Sequence, residues 1–137
     1  MLPKGSSKIS SIKTLTPKRL KELPENSPLF SDSFTFEKFT YNTELDSFSS
    51  KFEFSDFKQA MCFMNNIALL ADQIDHHPEW FNVYNRVEVV LRTHDCDGLS
   101  LKDFFLANAM TKVFNLVQEQ EREYRDILVE NWEKFLD

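Results

Sequence analysis

The stretch "SFSSKFEFSDFKQAMCFMNNIALLADQID" (residues 47–75) changes its hydrophobic period partway along. In residues 47–54 the apolar side chains Phe48, Phe52 and Phe54 share one parity, which is typical of a strand with one buried face. From residue 55 onward, the apolar residues recur at helical spacing: Phe57, Ala60, Met61, Met64, Ile67, Ala68, Ala71 and Ile74. The stretch predicts a strand followed directly by a helix over residues 55–75, which Ser55 or Asp56 can cap.

Four further segments extend this pattern on both sides. Residues 34–41, "FTFEKFTY", alternate aromatic and polar side chains and predict a strand that forms an antiparallel hairpin with 47–54. Residues 82–94 are β-branched and alternating, which predicts one strand or two short ones. Residues 100–137 have a helical pattern, and "TPKRLKEL" (16–23) predicts a short helix with Pro17 at its first position.

The predicted fold is therefore α+β, because pairs of strands alternate with helices. We expect an antiparallel four-stranded sheet with helices packed on one face, in the order α-β-β-α-β-β-α. At 137 residues the chain has the length of one domain, which we place at 16–137 after a flexible basic tail at 1–15. The acid-free Ser/Lys-rich start also fits a weak transit peptide.

Charge and composition exclude several classes of function. Residues 1–21 carry six basic side chains and no acid, so −12 of the formal charge falls on the remainder of a chain whose total is −6. Such an acidic body disfavours direct binding of nucleic acid. Two glycines disfavour a Gly-rich nucleotide loop, and no apolar run reaches membrane-spanning length. Cys62 and Cys96 lack metal or redox spacing, which fits reduced thiols and a cytoplasmic location.

All three histidines, His76, His77 and His94, lie within residues 72–95. Pro78 disfavours the α conformation for His77, which places the first two in a loop, and His94 falls at a strand end. Three interpretations remain open on the residues alone. The histidines are structural surface residues, they form an acid/base cluster that works without a cofactor, or they bind a metal. The metal site is disfavoured because its spacing with Asp72, Asp75, Asp95 or Asp97 matches no standard pattern.

The chain resembles the pterin-4a-carbinolamine dehydratase family, some of whose members also serve as dimerization cofactors of a homeodomain transcription factor. The family pattern is matched in spacing by Asp72, His76-His77-Pro78, Tyr84, His94 and Asp103. The resemblance covers residues 16–117 and is strongest in 52–107. Two features depart from it: a Gly-Trp before the first strand is replaced by "NSPLFSDSFTF", and residues 119–137 extend the C-terminus.

The resemblance implies a dehydratase that converts 4a-hydroxytetrahydrobiopterin to quinonoid dihydrobiopterin and water in tetrahydrobiopterin recycling. His76, His77 and His94 would share acid and base duties with no metal or cofactor, and Asp72, one helical turn before His76, would orient a histidine. The substrate-binding residues would be the three histidines with Pro78, Thr93, Asp95 and Cys96. Three other residues are expected to be structural: Asp103 as a first-turn carboxylate that forms a capping-box-like pair with Ser100, and Trp80 and Tyr84 as packing residues.

Partners are also implied by the resemblance. We expect a homo-oligomer, dimer or homotetramer, that assembles through the C-terminal helix, with no direct nucleic acid and no membrane. The apolar stripe of that helix is either the assembly surface or a face packed on the sheet; it comprises Leu106, Ala109, Met110, Val113, Phe114 and Val117. The alternative function is a transcriptional coactivator that binds a homeodomain-type factor, with a nuclear location beside the cytoplasmic one.

Overall fold

The strand and the helix of residues 47–75 form where the change of period predicts them. The computed structural model describes residues 38–119, so the tail, the helix at 16–23 and the predicted helix beyond residue 119 lie outside the described part. In chain order the described elements are β1 (Thr40–Asn42), β2 (Ser47–Glu53), α1 (Phe57–Gln73), β3 (Glu79–Val83), β4 (Arg86–Leu91), a 3-10 turn (His94–Cys96) and α2 (Leu101–Glu119).

The four strands form one antiparallel sheet in the order β1-β2-β4-β3. The register pairs Phe48 with Leu91 and Phe52 with Val87, so these buried side chains stand side by side on one face. Both helices cover that face: Phe52 stacks on Phe63 of α1, with ring centroids 4.8 Å apart, and on Phe114 of α2, at 5.2 Å. The α+β prediction, with helices on one face of a four-stranded sheet, is confirmed.

Residues 79–91 form a hairpin of two strands, where one strand or two short ones were predicted over 82–94. β3 already begins at Glu79, and the chain turns at Tyr84, which has φ 51°, and Asn85. The side-chain amide of Asn82 donates to the carbonyl oxygens of Tyr84 (3.2 Å) and Arg86 (2.9 Å), which stabilises this turn. Trp80 packs against the core as expected, but Tyr84 is 62% exposed, so its interpretation as a packing residue is wrong.

Helix α1 begins at its predicted cap, because the Asp56 carboxylate accepts from the backbone N–H of Gln59 at 2.9 Å. Its buried face is rotated from the predicted stripe: Phe63 and Leu70 are fully buried, whereas Phe57 and Ala68 are exposed.

The apolar stripe of α2 is part of the core of this single chain. Leu106, Met110, Val113 and Val117 have no exposed surface, and Ala109 has 1%. Side chains that are buried within one chain leave no surface for a second chain, so the stripe is a packing face and its interpretation as the assembly surface is wrong. Assembly through other residues of the C-terminal helix stays a prediction. No helix within residues 38–119 combines the length and hydropathy that crossing a membrane requires.

Candidate active site

The two segments that carry the histidines meet at one end of the sheet. His76 and His77 lie in the connection from α1 to β3, and His94 lies in the connection from β4 to α2. Because Glu79 at the start of β3 pairs with Val90 near the end of β4, the antiparallel register brings these connections side by side.

Helix α1 ends before His76, so His76 lies outside the helix. The backbone N–H of His76 donates to the carbonyl of Ala71 (3.0 Å), and that of Asp75 donates to the carbonyl of Asp72 (3.2 Å). Asp75 has φ 52°, so the chain reverses through a left-handed residue in a Schellman motif. The reversal turns His76 inward, where its side chain is 11% exposed.

Asp103 holds His76 at the centre of the site. The Nε2 atom of His76 lies 2.6 Å from Oδ1 of Asp103, whose side chain is fully buried. The second carboxylate oxygen accepts the hydroxyl of Thr93 (2.6 Å) and the backbone N–H of Ser100 (3.0 Å). A buried carboxylate needs such partners, because burying it unpaired costs several kcal/mol or more.

Asp103 therefore has two roles, of which the sequence indicates one. It lies in the first turn of α2 and completes the capping box with Ser100, whose hydroxyl accepts from the backbone N–H of Lys102 at 3.3 Å. The same carboxylate also binds a histidine 27 residues away in sequence. Spacing alone predicts the cap, and the match of Asp103 to the family pattern was the only sign of the second role.

The connection from residue 93 to 98 is a closed loop that presents His94. The backbone N–H of Thr93 donates to the carbonyl of Gly98 (2.8 Å), and the reverse bond measures 3.2 Å. Thr93 is buried and its hydroxyl lies 2.6 Å from that of Ser100. The neighbouring His94 side chain is 73% exposed. Thr93 thus links the exposed His94 to the buried pair of Asp103 and His76.

His94 lies between a carboxylate and a guanidinium. Its Nε2 atom is 3.2 Å from Oε1 of Glu79, and its Nδ1 atom is 3.5 Å from Nη1 of Arg92. Arg92 in turn donates to the carbonyl of Leu45 (2.9 Å) and to the carboxylate of Asp97. Neither Glu79 nor Arg92 was predicted from the residue pattern; the only signal was that Arg92 and His94 share strand parity.

Asp72 contacts His77 and not His76. The Oδ1 atom of Asp72 lies 3.4 Å from Nε2 of His77, and the two side chains are 84% and 61% exposed. The predicted placement, with Asp72 one helical turn before His76, is wrong because α1 ends at Gln73 and the chain reverses at Asp75. That Asp72 orients a histidine stays a prediction, now directed at His77.

The remaining predicted substrate-binding residues line the same connections. Pro78 is half-buried and Asp95 is exposed. Cys96 is half-buried, and its thiol faces carbonyl oxygens of its own loop, those of Gly98 (3.5 Å) and Thr93 (3.6 Å). Across residues 38–119, His, Cys, Asp and Glu side chains form no group of three or more that could hold a metal ion.

The geometry assigns the proton on neutral His76. A carboxylate only accepts hydrogen bonds, so Nε2 of His76 carries the proton that faces Asp103, and Nδ1 keeps a lone pair. A carboxylate behind an imidazole also stabilises the imidazolium once the ring has taken a proton. The site thus combines one buried, oriented imidazole with two exposed ones.

The fold resembles that of a solved pterin dehydratase. The sequence pattern of the family described as Pterin 4 alpha carbinolamine dehydratase matches residues 31–113. The chain belongs to this family.

Two relatives indicate how far the similarity extends. A protein of Novosphingobium aromaticivorans, named "Putative pterin-4-alpha-carbinolamine dehydratase", is 66% identical over 59 residues, which are 43% of this chain and 62% of that protein. The chain thus spans less than two thirds of this relative. The crystal structure of a transcriptional coactivator/pterin dehydratase from Brucella melitensis superposes with a TM-score of 0.55 at 39% identity, over 56% of this chain and 82% of the other.

Proposed function

We propose that this protein dehydrates a 4a-hydroxytetrahydropterin by histidine acid/base catalysis, as part of tetrahydrobiopterin recycling. The observation that carries the proposal is the contact of 2.6 Å between His76 and the buried Asp103, next to two further imidazoles. Family membership supports the substrate class.

The reaction needs one proton accepted and one proton given. The proton on N5 of the pterin goes to a base, the N5 electron pair forms the C4a–N5 double bond, and the C4a–O bond breaks. The hydroxyl group leaves with a proton from an acid, as water. The sum is a dehydration with no change of oxidation state, and imidazole is a side chain that can both accept and give a proton.

His76 is the base in this proposal. Its Nδ1 lone pair is set by the contact of Nε2 with Asp103, and the carboxylate stabilises the cation that forms when N5 gives up its proton. His76 is also the most buried of the three histidines, at 11% exposure, so its orientation is fixed by its surroundings. His77 and His94 are exposed and serve the leaving hydroxyl or exchange the proton with solvent.

The loop of residues 93–98 positions the pterin ring. Thr93 is fixed by Asp103 and Ser100, so the backbone that follows it through Cys96 is a rigid edge next to His94. Pro78 restricts the facing connection. We place the substrate between these two connections, with Asp95 at its exposed rim.

A transcriptional coactivator role is the second candidate, and it rests on the name of the Brucella melitensis structure. This role requires a homeodomain-type partner, a homo-oligomer and a location that includes the nucleus beside the cytoplasm. It does not require the histidines, so variants of His76 separate the two functions.

The test is the dehydration rate of freshly generated 4a-hydroxytetrahydropterin in a coupled hydroxylase assay, with wild type beside His76→Gln and Asn65→Ala. Asn65 is exposed on α1 and provides the matched control. We expect acceleration by wild type and the control and at least a roughly tenfold loss in His76→Gln. Acceleration that is equal in all three proteins would remove His76 from the mechanism.

A further inference from the structure

We propose that Arg92 is a positioning residue that fixes His94 as the tautomer with its proton on Nε2. The inference deepens the proposed function, on which its catalytic meaning rests, but the tautomer is a property of the free protein. It concerns a group outside the family pattern and outside the His76–Asp103 pair.

Arg92 is held in place independently of His94. Its Nε donates to the carbonyl of Leu45, in the connection from β1 to β2, at 2.9 Å. Its Nη2 donates to the carboxylate of Asp97, a residue with φ 53° in the loop after His94. The Arg92 side chain is 22% exposed, against 73% for His94, so the less mobile group orients the more exposed one.

The two neighbours of the His94 ring select the same tautomer. A guanidinium has N–H donors and no acceptor, so Nη1 of Arg92, 3.5 Å away, requires a lone pair on Nδ1. A carboxylate only accepts, so Glu79, 3.2 Å from the other nitrogen, requires the proton on Nε2. The donor and the acceptor lie on opposite sides of the ring, so flipping the ring or moving the proton would lose both contacts.

The tautomer gives His94 and His76 different chemical characters. Neutral His94 turns an N–H outward at its Nε2 edge, where a substrate hydroxyl could replace Glu79 as the acceptor. Neutral His76 offers a lone pair at Nδ1, since Asp103 occupies its Nε2 side. We therefore assign His94 to hydrogen bonding with the leaving hydroxyl and Arg92 to keeping it in that state.

The experiment is a long-range ¹H–¹⁵N NMR spectrum of the full-length protein at about pH 8.5, roughly two units above the ordinary histidine pKa. Wild type is compared with two variants. Arg92→Met removes the N–H donors, and Arg92→Lys keeps N–H donors and introduces no acceptor. The His76 signals serve as an internal control for the fold, since no contact joins His76 directly to Arg92 within the described residues. A His94→Gln spectrum assigns the resonances.

We expect one Nε2–H tautomer for His94 in wild type and Arg92→Lys, and a mixture of tautomers in Arg92→Met with His76 unchanged. An Nδ1–H tautomer in wild type, or an unchanged His94 pattern in Arg92→Met, would overturn the inference. The wild-type spectrum alone tests which tautomer His94 adopts, even if Arg92→Met does not fold. In the dehydration assay, Arg92→Met lowers kcat roughly tenfold with little change in KM. Wild type without dehydratase activity would defeat the proposed function and leave the tautomer result intact.

Discussion

The Nε2 atom of His76 lies 2.6 Å from Oδ1 of Asp103 and joins the end of α1 to the first turn of α2. The same carboxylate binds Thr93 and Ser100, so one buried group orients a histidine, closes a helix cap and anchors the loop that carries His94. In the proposed mechanism, function and stability depend on the same side chain, so substitutions at Asp103 should alter both.

We expect Asp103→Asn to lower turnover at least roughly tenfold. The amide carries no charge that could stabilise the His76 imidazolium. Its NH₂ group, itself a donor, also faces a donor from which the carboxylate oxygen accepted a hydrogen bond. The free energy of unfolding should fall by about 1–3 kcal/mol, because a buried donor loses its partner. Urea unfolding and the dehydration assay measure the two effects; a variant with wild-type values in both would contradict this role of Asp103.

The exposed pair of Asp72 and His77 should contribute little to stability. Both side chains are more than half exposed and the contact measures 3.4 Å, so solvent screens the interaction. We expect Asp72→Asn to leave the free energy of unfolding within about 0.5 kcal/mol of wild type and to cost less turnover than Asp103→Asn. The reverse order of the two turnover losses would show that Asp72, and not Asp103, supports the essential histidine.

Residue patterns predicted the fold well, because the hydrophobic periods of strands and helices depend only on residues that are close in sequence. The strand of 47–54 and the helix of 55–75 follow from spacing, and of the two predicted caps, Ser55 and Asp56, the helix uses Asp56. Spacing left one strand or two open over residues 82–94 and did not place the turn at Tyr84, because Tyr84 is left-handed without being glycine.

The site was predicted in part, because its residue types are local and its contacts are not. The clustering of His76, His77 and His94 indicates proton chemistry, but the partner of each depends on how two connections meet. The distance along the chain between His76 and Asp103 is 27 residues, and that between His94 and Glu79 is 15. Likewise, helical spacing could not separate a packing stripe on α2 from an assembly surface, since both are apolar.

The left-handed residue at the end of α1 provides a test of how the backbone sets the site. Asp75 has φ 52°, a conformation that costs a non-glycine residue roughly 1–2 kcal/mol, least for Asp and Asn. We expect Asp75→Ala to lower the free energy of unfolding by about 1 kcal/mol, and Asp75→Gly to leave it equal or higher. Thermal and urea unfolding measure both variants, and Asp75→Ala that is more stable than Asp75→Gly would contradict the Schellman geometry.

Burial raises the pKa of the Cys62 thiol to about 11, and the hydrogen bond with Asn66 acts weakly in the opposite direction. Because the ordinary value is 9.0, the folded state favours the protonated thiol. Its contribution to stability is complete below about pH 9 and is lost as the pH rises through about 11.

Cys62 should therefore resist thiol reagents in the folded protein. In a Cys96→Ser background at about pH 8, we expect labelling by a disulfide reagent only after unfolding in urea. The matched Cys62→Ser protein, whose half-buried Cys96 remains, should react faster when folded. Rapid labelling of Cys62 in the folded chain would show that α1 opens locally.

The most direct test of the histidine mechanism is the rate at which freshly generated 4a-hydroxytetrahydropterin loses water with wild type, His76→Ala and no protein. We expect a clear acceleration by wild type, at least a roughly tenfold loss in His76→Ala, and a folded variant by circular dichroism. Folded wild type that does not exceed the protein-free rate, or His76→Ala that keeps full activity, would contradict it.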